Sequence, residues 1–325
     1  MKRWRHWATA FILSTTVAGV AMAQTYPDKP IRVIIPSSAG GIIDVLPRAL
    51  FQKMSESLRQ QIVVDNRPGA AGIIGSEMAA KAAPDGYTLL VVATAHAINP
   101  GLYPKLPYDT AKDFTPITMV ARIPLLLVTH PSLPVNNVRE LVALAKAKPG
   151  QLFFASAGNG QGSHLAGEMF KSLAGIDLTH VPYKGAAPGL ADVLAGQVPI
   201  MFSDPVSPMP HIKAGKLKLL AVGTPKRSAA VPDVPTMMEA GVPGYDAYAW
   251  LGIIGPAGLP KEIAAKLHEE IIKAMHAPGV KERFFDPSSG FEIIGTNPEQ
   301  SAAFIRAEIA KWAPVVKASG AKADQ

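Results

Sequence analysis

Two stretches of the chain place glycines and small hydroxyl residues where an anion can be held. The first is Pro36-Ser37-Ser38-Ala39-Gly40-Gly41-Ile42-Ile43-Asp44, after the apolar run 31–35. The second is Ser156-Ala157-Gly158-Asn159-Gly160-Gln161-Gly162-Ser163-His164, closing the apolar run 152–156. Each hands a strand-like run through glycines into a helix-length segment. A helix start leaves its first N–H groups without intrahelical acceptors and carries the positive end of the helix dipole, which suits a carboxylate or phosphate. Glycines keep a Cβ out of the ligand's way, and Ser37, Ser38, Ser156 and Ser163 add hydroxyl donors. Asp44 is expected to cap the first helix with Pro47 in its first turn, placing the helix start near residue 44. Either stretch alone reads equally well as an ordinary tight turn. Two of them, roughly 120 residues apart, suggest one ligand gripped from both halves of the molecule.

Other chemistries fit less well. A dinucleotide fingerprint beginning at Gly158 and Gly160 needs glycine at 163, where the chain has Ser163. A nucleoside triphosphate loop fails because Gly215-Lys216 is followed by Leu217. His96, His130, His164, His180, His211, His268 and His276 form no two-histidine pair of metal-binding spacing with a nearby acid, so neither metal nor cofactor is expected. No nucleophile elbow surrounds Ser156 or Ser163. Triad members converge only in space, however, so a secreted serine hydrolase using Ser156 or Ser163 with His164 stands as the alternative from another class.

The elements that must position these loops alternate. Apolar runs at 31–35, 61–65, 87–92, 125–129, 152–156, 198–203, 217–222, 251–255 and 291–295 read as strands buried on both faces. Between them lie amphipathic stretches of helix length at 44–58, 73–82, 137–147, 163–174, 186–195, 260–276 and 297–318. Strand and helix in alternation predict an α/β fold with mostly parallel sheets. The 30 prolines and 28 glycines punctuate nearly every junction.

The N-terminal segment carries Lys2, Arg3 and Arg5, an apolar stretch, then Ala21-Met22-Ala23, the pattern of an export signal cut after Ala23. Its apolar stretch is shorter than the roughly 20 residues of a spanning helix. Cleavage leaves 325 − 23 = 302 residues, enough for two domains, and lowers the net charge from +7 to +4. The chain has 0 cysteines, which excludes disulfides and a lipid-anchored N-terminus and predicts a soluble periplasmic protein. Without a Lys/Arg stripe there is no case for nucleic acid.

Several phrases together resemble one family: "VVDNRPGAAGIIGSEMAAKAAPDGYTLL" (63–90), "NPGLYPKLPYDTAKDF" (99–114), "ASAGNGQGSHLAGEMFKSLAG" (155–175), "HVPYKGAAPGLADVLAGQV" (180–198) and "VPTMMEAGVPGY" (234–245). The chain is similar to the Bug proteins, periplasmic substrate-binding components of tripartite tricarboxylate transporters, through almost its whole mature length. The resemblance implies a two-lobe, type II periplasmic-binding-protein fold, with residues 24–124 and 228–325 in one lobe and 125–227 in the other. It implies a small organic carboxylate held at the lobe interface without being converted, a membrane permease as partner, and a monomer. A sensor accessory presenting the same ligand to a membrane kinase is a further alternative. Carried onto this chain, the ligand-binding positions are Ser37, Ser38, Ala39, Gly40, Ile43 and Asp44 in the first loop and Thr94 and Ala95 after the third strand. The second loop supplies Ser156, Gly158, Asn159, Gly160, Ser163 and His164, and Asp204 follows beside Ser203. Many relatives read Pro-Phe-Pro-Pro-Gly-Gly-Gly-Thr-Asp where this chain has Ile42 and Ile43 before Asp44. If Ile43 faces the cleft, an apolar wall replaces a hydroxyl, favouring an aromatic or longer-chain dicarboxylate over citrate.

Overall fold

A computed structural model describes residues 26–321, so the expected export signal lies outside the described residues. Two sheets organise the chain. The first has strand order β11-β4-β10-β3-β1-β2, built from β1 (Ile31–Ile35), β2 (Ile62–Asn66), β3 (Thr88–Ala93), β4 (Phe114–Pro124), β10 (Tyr248–Pro256) and β11 (Glu292–Ile293). The second has order β7-β6-β8-β5-β9, from β5 (Leu126–Thr129), β6 (Phe153–Ser156), β7 (Thr179–Pro182), β8 (Ile200–Ser203) and β9 (Lys218–Val222). Only Leu125 separates β4 from β5, and the return passes through residues 223–247.

Both sheets are mixed, which corrects the expectation of mostly parallel ones. β1 runs parallel to β2 and β3, and β6 parallel to β7 and β8. The strands next to the crossings, β4 with β10 and β5 with β8 and β9, pair antiparallel. A chain that leaves one sheet and re-enters it from the other side arrives head to tail.

The near-continuous apolar runs have a simple cause. In β3, Leu89 and Val91 face one hydrophobic core while Leu90 and Val92 face another; in β8, Ile200 and Phe202 oppose Met201. Strand residues alternate faces, so burial on both sides demands apolar residues throughout. Helices α1 (Ile42–Leu58) and α8 (Lys261–His276) cover one side of the first sheet, while α2 (Ile73–Ala80), α3 (Thr94–Leu102) and α10 (Pro298–Ser319) cover the other. In the second sheet, α4 (Val138–Ala147) and α5 (Gly162–Ala174) oppose α6 (Ala186–Leu194). The short helices α7 (Met209–Lys213) and α9 (Val280–Phe284) complete the set.

One core is common to both lobes. It joins Phe154 and Phe202 of the second sheet to Leu102, Trp250 and Trp312. At its centre the buried Glu308 of α10 accepts from Trp250 Nε1 at 2.8 Å, Trp312 Nε1 at 3.0 Å and the Tyr248 hydroxyl at 3.3 Å. A buried carboxylate needs such donors, because an uncompensated one is strongly destabilising. Trp250 and Tyr248 belong to β10, the returning strand, so α10 is fastened to the back of the interlobe crossing.

Candidate functional site

Between the sheets lies a cleft of three adjoining cavities. The central one, about 140 Å³, is bordered by the first residues of four helices: Ile42 and Ile43 of α1, Thr94 and Ala95 of α3, Gly162 and Ser163 of α5, and Ala186 of α6. Each start lacks intrahelical acceptors for its leading N–H groups, and four positive dipole ends converge on one small volume. Among the described residues around it, Asp204 is the only ionisable one. Burial pushes the Asp204 carboxyl up from its ordinary value against the opposing hydrogen bond from Val206 N–H at 2.9 Å. Ser203 also lines this cavity, 2% exposed, and its hydroxyl has no partner. A buried hydroxyl without a partner is costly in a finished structure and available to a ligand.

The inner cavity, about 200 Å³, opens past Ile43, Ala93, Ala95 and Gln161 into the first lobe, where Ser37 and His96 lie. The outer one, about 900 Å³, runs from Gly40 and Asp204 toward solvent past Lys184, Lys213 and Arg283. Ile43 borders both the central and the inner cavity, so it does face the cleft.

The two glycine loops share one device. In the first, Asp44 at the third position of α1 reaches back four residues and accepts from Gly40 N–H at 3.0 Å. Its carboxylate also takes Arg48 Nη2 at 2.7 Å and Asn66 Nδ2 at 3.0 Å, while Asn66 holds the Ser37 carbonyl at 3.1 Å. Burial acts to raise the Asp44 carboxyl, but these bonds outweigh it and hold it below the usual carboxylate range. In the second loop, His164 at the third position of α5 accepts Gly160 N–H on Nδ1 at 3.1 Å. Its ring stacks on His180 at 3.8 Å between centroids, and burial, helped by the Lys171 charge, lowers its pKa from 6.5 to about 4.

This arrangement revises the sequence reading at several points. α1 starts at Ile42, two residues earlier than expected, with Gly41 in extended conformation as its N-cap. Asp44 therefore pins the loop from inside the helix instead of capping it. Pro47 lies beyond the first turn and deprives the Ile43 carbonyl of its helical donor. Three N–H groups expected to face the ligand are used within their own loops: Gly40 by Asp44, Gly160 by His164, and Gly158 by the Ser156 hydroxyl at 3.1 Å. Of the sequence-derived positions, Ile43, Thr94, Ala95, Ser163 and Asp204 meet around the central cavity, and Ser37 and Gly40 border the inner and outer ones. Ser38 and Ala39 are exposed on the first loop, and Asn159 sits on the second loop outside the three cavities. Ser156 is fully buried, its hydroxyl 2.6 Å from His180 Nε2, with no cavity bringing a substrate to it.

Sequence reasoning missed Gln161, Trp250 and the start of α6 at Ala186, all on the central cavity. Ala186 had a usable signal, since Gly185 before it repeats the glycine-then-helix pattern; the preceding strand, Thr-His-Val-Pro, was too polar to be read as one.

Two sheets joined by two crossings, with helix starts from both around the cleft between them, define the two-lobe fold of a solute-binding protein. The family described as "Tripartite tricarboxylate transporter family receptor" (TctC) matches residues 46–321, and the chain belongs to it. BugT of Bordetella pertussis is 38% identical over 314 residues, covering 96% of each chain. Among solved structures, R. palustris Rpa4515 with adipate superposes with a TM-score of 0.81 at 35% identity, over 91% of this chain and 99% of that one. MatC (Rpa3494) from Rhodopseudomonas palustris with bound malate gives 0.77 at 33% identity, over 90% and 100%. Members of this family are periplasmic solute-binding proteins, not enzymes, and the hydrolase alternative is not favoured. No helix among the described residues is long and apolar enough to cross a membrane.

Proposed function

We propose that this protein is exported to the periplasm with cleavage after Ala23, captures a small organic carboxylate between its lobes, and delivers it to the permease of a tripartite tricarboxylate transporter as a monomer. The observation that carries this reading is the convergence of four helix starts on a central cavity with no lysine or arginine around it. Such a site binds an anion through backbone donors and spares the ligand a buried ion pair. The Ser163 and Ser203 hydroxyls and the first-turn N–H groups, with Asp204 beside them, would take the carboxylate oxygens, directly or through ordered water.

The lobes in this reading are residues 24–124 with 228–325, and 125–227, bending at Leu125 and along 223–247. A ligand touching both binds the closed arrangement better than the open one, and only that difference drives closure. The relatives holding adipate and malate support a carboxylate ligand. Ile43, at the wall between central and inner cavities, supports an aromatic or longer-chain acid over citrate. A thermal-shift panel tests this: phthalates and adipate should raise the melting temperature more than citrate or malate. The reverse order would remove the size argument, and no shift with any carboxylate would remove the whole reading.

A further inference from the structure

The inner cavity holds groups that the carboxylate site does not use. His96 and Asn99 both line it, 5% and 1% exposed. Neither ring nitrogen of His96 has a hydrogen-bond partner, and Asn99 donates its Nδ2 to the Ala71 carbonyl at 3.2 Å while its Oδ1 has none. Buried polar atoms are nearly always satisfied, so three such atoms on two residues that line one chamber point to a missing partner. The chamber contains no charged side chain: its remaining walls are Pro36, Ile43, Pro68, Val92 and neighbouring small or neutral polar residues. The His96 ring sits between Tyr108 and Phe114, with centroids at 6.2 and 5.2 Å, and burial keeps it neutral.

We propose that this chamber receives an uncharged, hydroxyl-bearing end of the ligand, making the solute a hydroxylated monocarboxylate with a ring-sized or comparably long body. The proposal rests on the central cavity being the carboxylate site and narrows what that site accepts. Size permits it: a cavity of about 150 Å³ holds a benzene ring, and this one is about 200 Å³. Chemistry selects the end group. A neutral imidazole offers one donor and one acceptor, and Asn99 Oδ1 is an acceptor; a hydroxyl complements both, whereas a carboxylate only accepts and would face Asn99 Oδ1 and the bare imidazole nitrogen. Burying a second carboxylate here without a cation is also costly. The outer cavity does have cations, but Lys184, Lys213 and Arg283 are exposed, where water and salt weaken their pull.

Isothermal titration of the full chain with two matched series decides the matter: benzoate, para-hydroxybenzoate and terephthalate, and hexanoate, ω-hydroxyhexanoate and adipate. In at least one series the hydroxy acid should bind about tenfold more tightly than its parent and more tightly than the diacid, a tenfold step corresponding to about 1.4 kcal/mol. In Asn99→Leu and in His96→Leu the ratio of hydroxy acid to parent should fall toward one. Diacids binding most tightly in both series, no hydroxyl gain in either, or a gain that survives both substitutions would overturn the proposal while leaving the carboxylate site intact. Failure of all six compounds to bind would remove the carboxylate reading and this one with it.

Discussion

The two glycine loops make the same bond with opposite chemistry. Each sends the third residue of its helix back to an N–H four positions earlier, Asp44 to Gly40 and His164 to Gly160. In the first loop the acceptor is an ionised carboxylate, fixed by Arg48 and Asn66 and held below the usual carboxylate range. In the second it is a neutral imidazole that must stay neutral, because protonation would replace the lone pair on Nδ1 with a second N–H. The surroundings differ as well. A Cβ on Gly40 would meet nothing within 4 Å, whereas one on Gly160 would come within 2.3 Å of Leu102 Cδ2 from the other lobe. The first loop is a lip facing solvent; the second packs against Leu102 across the cleft.

Several measurements can break or sharpen that contrast. Asp44→Ala should have the largest effect, about 3 kcal/mol of stability in chemical denaturation, because it removes a buried carboxylate that accepts charge-assisted bonds from Gly40 N–H, Asn66 and the half-exposed Arg48. A loss below about 1 kcal/mol would mean that the pin is ornamental. Gly160→Val should weaken carboxylate binding at least tenfold, about 1.4 kcal/mol, through its left-handed φ of +69° and the approach to Leu102. Wild-type affinity in that variant would remove the second loop from the binding site.

Acidification should separate the loops next. His164 has its pKa lowered from 6.5 to about 4, so between those values the unfolded chain binds the extra proton and stability falls as pH falls. At pH 5 the loss from this residue is on the order of 2 kcal/mol, since each pKa unit is worth about 1.4 kcal/mol. His164→Gln should flatten the pH 7 to 5 slope relative to the wild type. Asp44, with its carboxyl lowered, keeps its contribution through this window and loses it only at more acidic pH. The smallest effect is expected for Gly40→Ala, whose cost is the positive φ of 93° alone, about 1 kcal/mol, with ligand affinity changed less than by Gly160→Ala.

What the sequence disclosed follows from which interactions are local. The strands are readable because both faces of β1, β3, β5, β6 and β8 are buried, which writes itself as continuous apolar runs. The two loops are readable because glycine and serine cluster at helix starts. β4 was missed because Pro116 and Pro124 look like breaks; Pro116 pairs with Ile254 beside a register shift that accommodates it. α3 was hidden by Pro100 within it. The donors that hold Asp44 were unreadable because Asn66 comes from the neighbouring strand, and the partner of Gly160 was invisible because Leu102 belongs to the other lobe. Parallel or mixed pairing was equally beyond reach, being decided where a strand re-enters the sheet.

Glu308 has one more implication. By gathering two indoles and a phenol of α10 and β10 onto a single carboxylate, it ties the C-terminal helix to the strand that returns from the second sheet. A chain shortened ahead of Trp312 would leave the buried Glu308 carboxylate short of a donor and loosen α10 from the returning strand.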